Sequence, residues 1–233
     1  MADPPAARGV VLAGGASTRF GEEDKALATL DGKPLVAHVV ESVAAATDRA
    51  PVLAVADETA GARYSEALDG VAVETAVDDP DLSGPLAGIF AAVERTDEDW
   101  IFVCACDMPL VTATGIAAVR DAAAREAALA TDDASGVDDA SGVDDRSELD
   151  ALVPVVGGYD QPLHALYRRR ALDRARSGLA AGDAIMALLD ELRVERVAAA
   201  DLDLSDSQST LAEATTNVNT REELDALRER RRD

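Results

Sequence analysis

The stretch "VVLAGGASTRFGEEDKAL", from Val10 to Leu27, gathers residues suited to one kind of chemistry. Gly14 and Gly15 let a backbone approach a ligand closely, and successive N–H groups there can form a nest for an anion. Ser17, Thr18, Arg19 and Lys25 add donors and positive charge in the same loop. Lysine is otherwise scarce: Lys25 and Lys33 are the only two, beside 20 arginines and 45 acidic residues. Where a surface avoids lysine, one kept in a glycine-rich loop points to a ligand that needs a compact cationic head. Lys33, in "DGKP", reads as a turn before a helix.

A second chemical position is Asp107, which ends the most apolar run of the chain, Trp100 to Cys106. A carboxylate there can hold Mg²⁺ that bridges substrate phosphates, since Mg²⁺ takes one or two carboxylates together with water and phosphate oxygens. The plain alternative is an Asp capping a turn before Pro109. The common nucleotide loops are absent: neither G-x-G-x-x-G nor G-x-x-x-x-G-K-[ST] occurs, which disfavours a dinucleotide dehydrogenase or a P-loop ATPase.

These positions need a scaffold, and short β-branched runs alternating with helical patterns supply one: βαβ units around a largely parallel sheet. Val10 to Ala13 is a first strand. Leu35, Val36, Val39, Val40 and Val43 form a helical stripe, Val52 to Ala56 a strand, Tyr64 to Leu68 a weak helix, and Val71 to Val73 a short strand. Leu86, Ile89, Phe90 and Val93 share a helical face behind Pro85. Trp100 to Cys106 is a strand buried on both faces. A helix around Ile116 to Ala128 precedes "TDDASGVDDASGVDD", a tandem repeat that builds no core, so Thr131 to Asp150 reads as a flexible acidic insertion in a single domain spanning residues 1–233. Ala151 to Val156 is a strand, Gly157-Gly158 a turn, and "YDQPLHALYRR" a strand entering a basic helix. An amphipathic helix follows over Asp183 to Leu192. Thr220 and Glu223 form a capping-box pattern for a last helix that docks through Leu224 and Leu227. In such sheets ligands bind beyond the carboxyl ends of the strands, where both chemical positions fall.

Composition bounds the rest. A formal charge of −23 argues against a sequence-independent grip on nucleic acid. With acids scattered along amphipathic segments and Arg in place of Lys, it reads as a salt-adapted cytoplasmic surface. The N-terminus has no signal pattern, and no run is long enough to span a membrane. Cys104 and Cys106 read as buried free thiols in a reducing compartment.

At these residues the sequence resembles the molybdenum cofactor guanylyltransferase family, within the nucleotidyltransferases of Rossmann-like α/β fold. "LAGGASTRFGEEDKAL" is similar to that family's L-A-G-G-x-S-x-R-M-G-x-D-K loop, with Phe20 in place of Met. "SGPLAGI", "CDMPLV" and "NVNTREEL" match its later segments in order. The resemblance implies that Leu12, Ala13, Gly14 and Gly15 contact the guanine nucleotide through backbone, that Arg19 and Lys25 bind its phosphates, and that Asp107 binds Mg²⁺. It places Asp78, with Asp79 as the alternative, at the acidic nucleotide-binding position. Asn217 and Asn219 would lie near the pterin or the reacting phosphates. One nucleotide contact after the second strand has only Asp57 to supply it.

The activity so implied is transfer of GMP from GTP to the terminal phosphate of molybdopterin, with release of pyrophosphate. Catalytic weight would fall on Lys25, Arg19 and Asp107. His164 follows Gln161-Pro162 where the pterin side begins, so it is either a substrate contact or a polar residue on a strand edge. Arg168, Arg169, Arg170, Arg174 and Arg176 either pair with neighbouring carboxylates or offer a surface to molybdopterin or a cofactor-delivery protein. Rival readings are a CTP-dependent transferase, a guanylyltransferase for another phosphorylated acceptor, and a non-catalytic nucleotide-binding adaptor.

Overall fold

A computed structural model describes residues 4–15, 20, 24–134, 149–204 and 207–232. Its centre is a sheet with the spatial order β10 (Val194–Ala198), β7 (Ala151–Val156), β9 (His164–Arg168), β6 (Trp100–Ala105), β1 (Ala7–Leu12), β4 (Val52–Val55) and β5 (Glu74–Val77). The short β8 (Tyr159–Asp160) pairs with β7 through a turn in which Gly157 and Gly158 take φ of 59° and 85°, conformations that a side chain would resist. Strands β6, β1, β4 and β5 run parallel, as do β7 and β10, whereas β9 is antiparallel to both of its neighbours. The architecture is therefore the expected α/β fold with a mostly parallel sheet between helices.

Apolar side chains alternate along the strands between two helical layers. Val11, Leu53, Phe102 and Cys104 face α1 (Leu35–Ala46), α2 (Glu58–Ala67) and α4 (Ala113–Ala134). Val10, Leu12, Ile101 and Val103 face α3 (Gly84–Val93), α5 (Arg169–Ala175) and α6 (Ile185–Asp190). Strand β6 is buried along its whole length, as its continuous apolar run predicts. A smaller cluster joins Leu30 and Leu35 to Leu224 and Leu227 of α8 (Arg221–Arg230). It fixes α8 beside the hairpin β2 (Thr29–Leu30) and β3 (Lys33–Pro34), where Lys33 pairs with Glu41. The reciprocal capping box of Thr220 and Glu223 opens α8. A further helix, α7 (Ser207–Ala214), adds Leu211 to the first layer.

The structure departs from the sequence reading in three places. The strand predicted at Val71 to Val73 lies three residues on, at Glu74–Val77, because its register is set by parallel pairing of Val52 to Val55 with Glu74 to Val77. It is an edge strand whose only buried residue is Ala76, so its sequence carries little apolar signal. The insertion does not reach Asp150: that carboxylate is buried, accepts from the Arg174 guanidinium at 2.8 Å and the Arg193 N–H at 3.1 Å, and anchors the chain entering β7. Helix α4 also continues into the repeat, through Ala134; residues 135–148 lie outside the described residues. Third, β10 and α7 have no counterpart in the sequence reading.

Candidate active site

The chain runs outward through β1, β4 and β5, then α3 carries it back to β6 on the other side of β1. This reversal opens a crevice at the carboxyl ends of β1 and β6, the place where α/β sheets hold ligands. Gly14 and Gly15 leave β1 there, Asp78 leaves β5, and Asp107 follows β6 closely. All four line one cleft with Asp24, Lys25, Tyr64 and the first turn of α3.

Lys25 reaches across this cleft. Its Nζ donates to Asp107 Oδ2 at 2.6 Å and to Asn219 Oδ1 at 3.2 Å. Asn219 is brought within reach because the Val218 N–H donates to the Asp107 carbonyl at 2.8 Å. The Glu223 carboxylate then accepts from the N–H groups of Asn219 and Thr220. Side chains from two distant parts of the chain thus converge on the Lys25 ammonium.

Asp107 keeps Oδ1 buried and without a hydrogen-bond partner, and Asp78 Oδ1 is in the same condition. A buried carboxylate oxygen left unpaired is costly unless something cationic or protic completes it. Burial accordingly raises the Asp78 pKa above the ordinary carboxylate value. Among the described residues no group of three or more His, Cys, Asp and Glu side chains could cage a metal by itself. This donor set suits Mg²⁺ shared between one or two carboxylates and phosphate oxygens.

Asp78, rather than Asp79, faces the cleft. A Cβ on Gly14 would lie 2.0 Å from Asp78 Oδ2, so the glycine is the space in which that carboxylate sits. Asp79 instead receives the Arg176 guanidinium at 2.9 Å. The backbone groups open to a ligand are fewer than the motif implies, because the Ala13 N–H is spent on the Ala54 carbonyl and the Leu12 carbonyl accepts from Cys106. Gly14 and Gly15 retain N–H groups with no bond among the described residues. The start of α3 adds to this anion-facing wall: Gly84 and Pro85 line the cleft, and the Ser83 hydroxyl makes no cap bond.

The remaining candidates fall either outside this cleft or outside the described residues. Arg19 lies outside the described residues. Asn217 lines a separate hollow with Val218, Glu223 and Arg230. Asp57 caps α2 through the Ala60 N–H at 2.8 Å and does not line the cleft. His164 is corrected on both readings, being neither at a strand edge nor open to substrate. It sits on β9 between β6 and β7, fully buried, edge-on to Phe102 at 5.2 Å, and burial lowers its pKa to about 4. The arginines of the basic segment are largely paired: Arg169 with Asp173, Arg174 with Asp150, Arg176 with Asp79, while Arg168 stacks over Trp100 at 4.7 Å.

Sequence reasoning missed Asp24 and Tyr64, both in the cleft wall. The adjacency of Asp24 to Lys25 was the available signal; Tyr64 had none beyond helical spacing. It also missed that Cys106 lines the cleft, although burial and then Asp107 push its thiol up to about 12, leaving it protonated and inert.

A crevice that brings together main-chain amides left unbonded among the described residues, a lysine and two partly unsatisfied carboxylates is suited to the phosphates of a nucleotide. Residues 9–197 match the MobA-like NTP transferase domain, and the chain belongs to that family. A molybdenum cofactor guanylyltransferase of Vibrio cholerae is 31% identical over 216 residues, 92% of this chain and 88% of its own. A probable molybdenum cofactor guanylyltransferase of Bacillus cereus is 29% identical over 219 residues, 92% of each chain. Molybdopterin-guanine dinucleotide biosynthesis protein A from Archaeoglobus fulgidus has the same fold at a TM-score of 0.67, with 26% identity and coverage of 97% and 98%. No helix among the described residues is long and apolar enough to cross a membrane.

Proposed function

We propose that the chain transfers GMP from GTP to the terminal phosphate of molybdopterin. An oxygen of that phosphate forms a bond to the α-phosphorus of GTP, the bond from the α-phosphorus to the bridging oxygen breaks, and its electron pair leaves with pyrophosphate. A phosphate monoester is already an anionic nucleophile near neutral pH, so the protein's task is to hold two anions in line and to neutralise the charge growing on the leaving group.

The observation that carries this reading is the convergence of Lys25, Asp107 and Asn219 in the cleft that Gly14 and Gly15 also line, with glycine amides left unbonded among the described residues. In it, the glycine amides cradle the nucleotide and Lys25 meets its phosphates, with Arg19 as a second cation. Asp78, acceptor-only when ionised, orients N–H or O–H groups of the nucleoside. Asp107 would hold Mg²⁺, which when bound supplies further positive charge to the phosphate oxygens. Asn219 faces the reacting phosphates. The high negative charge marks a surface built for concentrated salt in the cytoplasm, and the acceptor arrives as free cofactor or from a delivery protein.

The test is incubation in molar KCl with Mg²⁺, molybdopterin and GTP, CTP or ATP, following pyrophosphate. Release with GTP alone supports the proposal. Release with CTP alone moves the assignment to a cytidylyltransferase, and GTP binding without pyrophosphate makes the chain an adaptor.

A further inference from the structure

We propose that Tyr64 is a positioning residue for the transfer reaction, its hydroxyl acting through Asp24 to fix the turn from which Lys25 reaches Asp107. The inference rests on the guanylyltransferase reading above. Tyr64 Oη donates to Asp24 Oδ2 at 2.9 Å, while Asp24 Oδ1 accepts from the Ala26 N–H at 3.0 Å. The Asp24 carbonyl in turn accepts from the N–H groups of Leu27 and Ala28. Main chain and side chain of Asp24 therefore both shape the short 3-10 turn Lys25–Leu27, and Tyr64 ties that turn to α2.

A lysine head is a compact charge on a flexible four-carbon stem, so where it falls depends on how firmly its Cα is held. Lys25 must place Nζ 2.6 Å from Asp107, a residue 82 positions away. Two groups hold the Asp24 carboxylate against α2, and they are unequal. The Arg63 guanidinium meets Oδ2 at 2.6 Å, but its side chain is half exposed and its contact is screened by salt. The Tyr64 side is buried, and desolvation followed by the Asp24 carboxylate raises the phenol pKa, so the proton stays on Oη as a donor. In concentrated salt the tyrosine is the contact that endures. Its ring packs in the same cluster as Leu68 and Val55, so removing the hydroxyl alone leaves the packing in place.

The experiment compares wild type with Tyr64→Phe, and the scarcity of lysine makes it direct. Reductive methylation with formaldehyde and cyanoborohydride, without substrates, labels the two lysine side chains, and Lys33, paired with Glu41 on the β2–β3 hairpin, is the internal standard. Mass spectrometry should show the Lys25 to Lys33 labelling ratio rising about fivefold in the variant, as a freed ammonium gains access. At saturating GTP, kcat should fall about tenfold, the scale set by a slightly misplaced catalytic group. The deficit relative to wild type should widen from dilute buffer to molar KCl, whereas an Arg63→Gln deficit should not. A labelling ratio equal to wild type overturns the proposal, and so does wild-type kcat in a variant whose labelling has changed. Because labelling needs no substrate, a wild-type protein that releases no pyrophosphate would defeat the guanylyltransferase assignment and leave the Tyr64 link to be judged by labelling alone.

Discussion

Lys25 Nζ and Asp107 Oδ2 meet at 2.6 Å across the crevice where the strand order reverses. Both side chains are only about 15% exposed, 16% and 15%, so the pair is shielded enough to matter and open enough to exchange partners. Asn219 offers the ammonium a second seat at 3.2 Å, and Asp107 retains an unpaired oxygen. An approaching triphosphate and cation can therefore share the pair without first dismantling it.

Gly14→Ala tests how the site depends on close approach. The added methyl would fall 2.0 Å from Asp78 Oδ2, so the carboxylate must swing out of the cleft. KM for GTP should rise at least tenfold, while stability should change by no more than about 1 kcal/mol, because the clash falls on the end of one flexible side chain whose burial is itself unfavourable. Gly15→Ala meets nothing within 4 Å and should fold as wild type, as thermal melts of both variants will show.

Asp78→Asn should be a stabilising loss of function. Burial raises the native pKa of Asp78 above its unfolded value of 3.8, so the folded state binds the proton more tightly and stability is lost as pH rises through the native pKa. The amide removes that penalty. The Asn variant should melt above wild type at pH 7 and converge with it below the unfolded pKa, while GTP affinity drops. Melting curves across that pH range, with a GTP titration at neutral pH, check both halves.

His164→Leu separates a core residue from a substrate contact. Neither imidazole nitrogen has a hydrogen-bond partner among the described residues, and the pKa of about 4 lies below the ordinary 6.5. The unfolded chain binds the proton first, so wild-type stability should fall as pH drops from 6.5 towards 4, by something on the order of 3 kcal/mol from this residue. The leucine variant should lack that part of the slope. Its turnover at pH 7 should stay within about twofold of wild type, as befits a residue that touches no substrate.

What the sequence discloses depends on how local the cause is. Strand β6 was readable because burial on both faces leaves an unbroken apolar run, and the α8 cap because Thr220 and Glu223 carry its chemistry three residues apart. Edge strands β5 and β10 were not, since half or more of their side chains face water and look like loop. In the cleft, glycine pair, lysine and aspartate announce themselves by type. Adjacent acids do not: Asp78 is told from Asp79 by contacts distant in sequence, the space above Gly14 for the first and Arg176, 97 positions away, for the second. Tyr64 likewise finds Asp24 across 40 residues, a contact that helical periodicity has no means of encoding.

The Lys25→Ala variant, assayed for pyrophosphate release with saturating GTP, molybdopterin and Mg²⁺ beside the wild type, tests the central claim most directly. Loss of one preorganised charge contact should lower the rate by about a hundredfold or more in a protein that still melts as a folded domain. A rate within threefold of wild type (on the order of 0.6 kcal/mol) would contradict the account, because the cleft would then be doing its chemistry without the cation around which it is built.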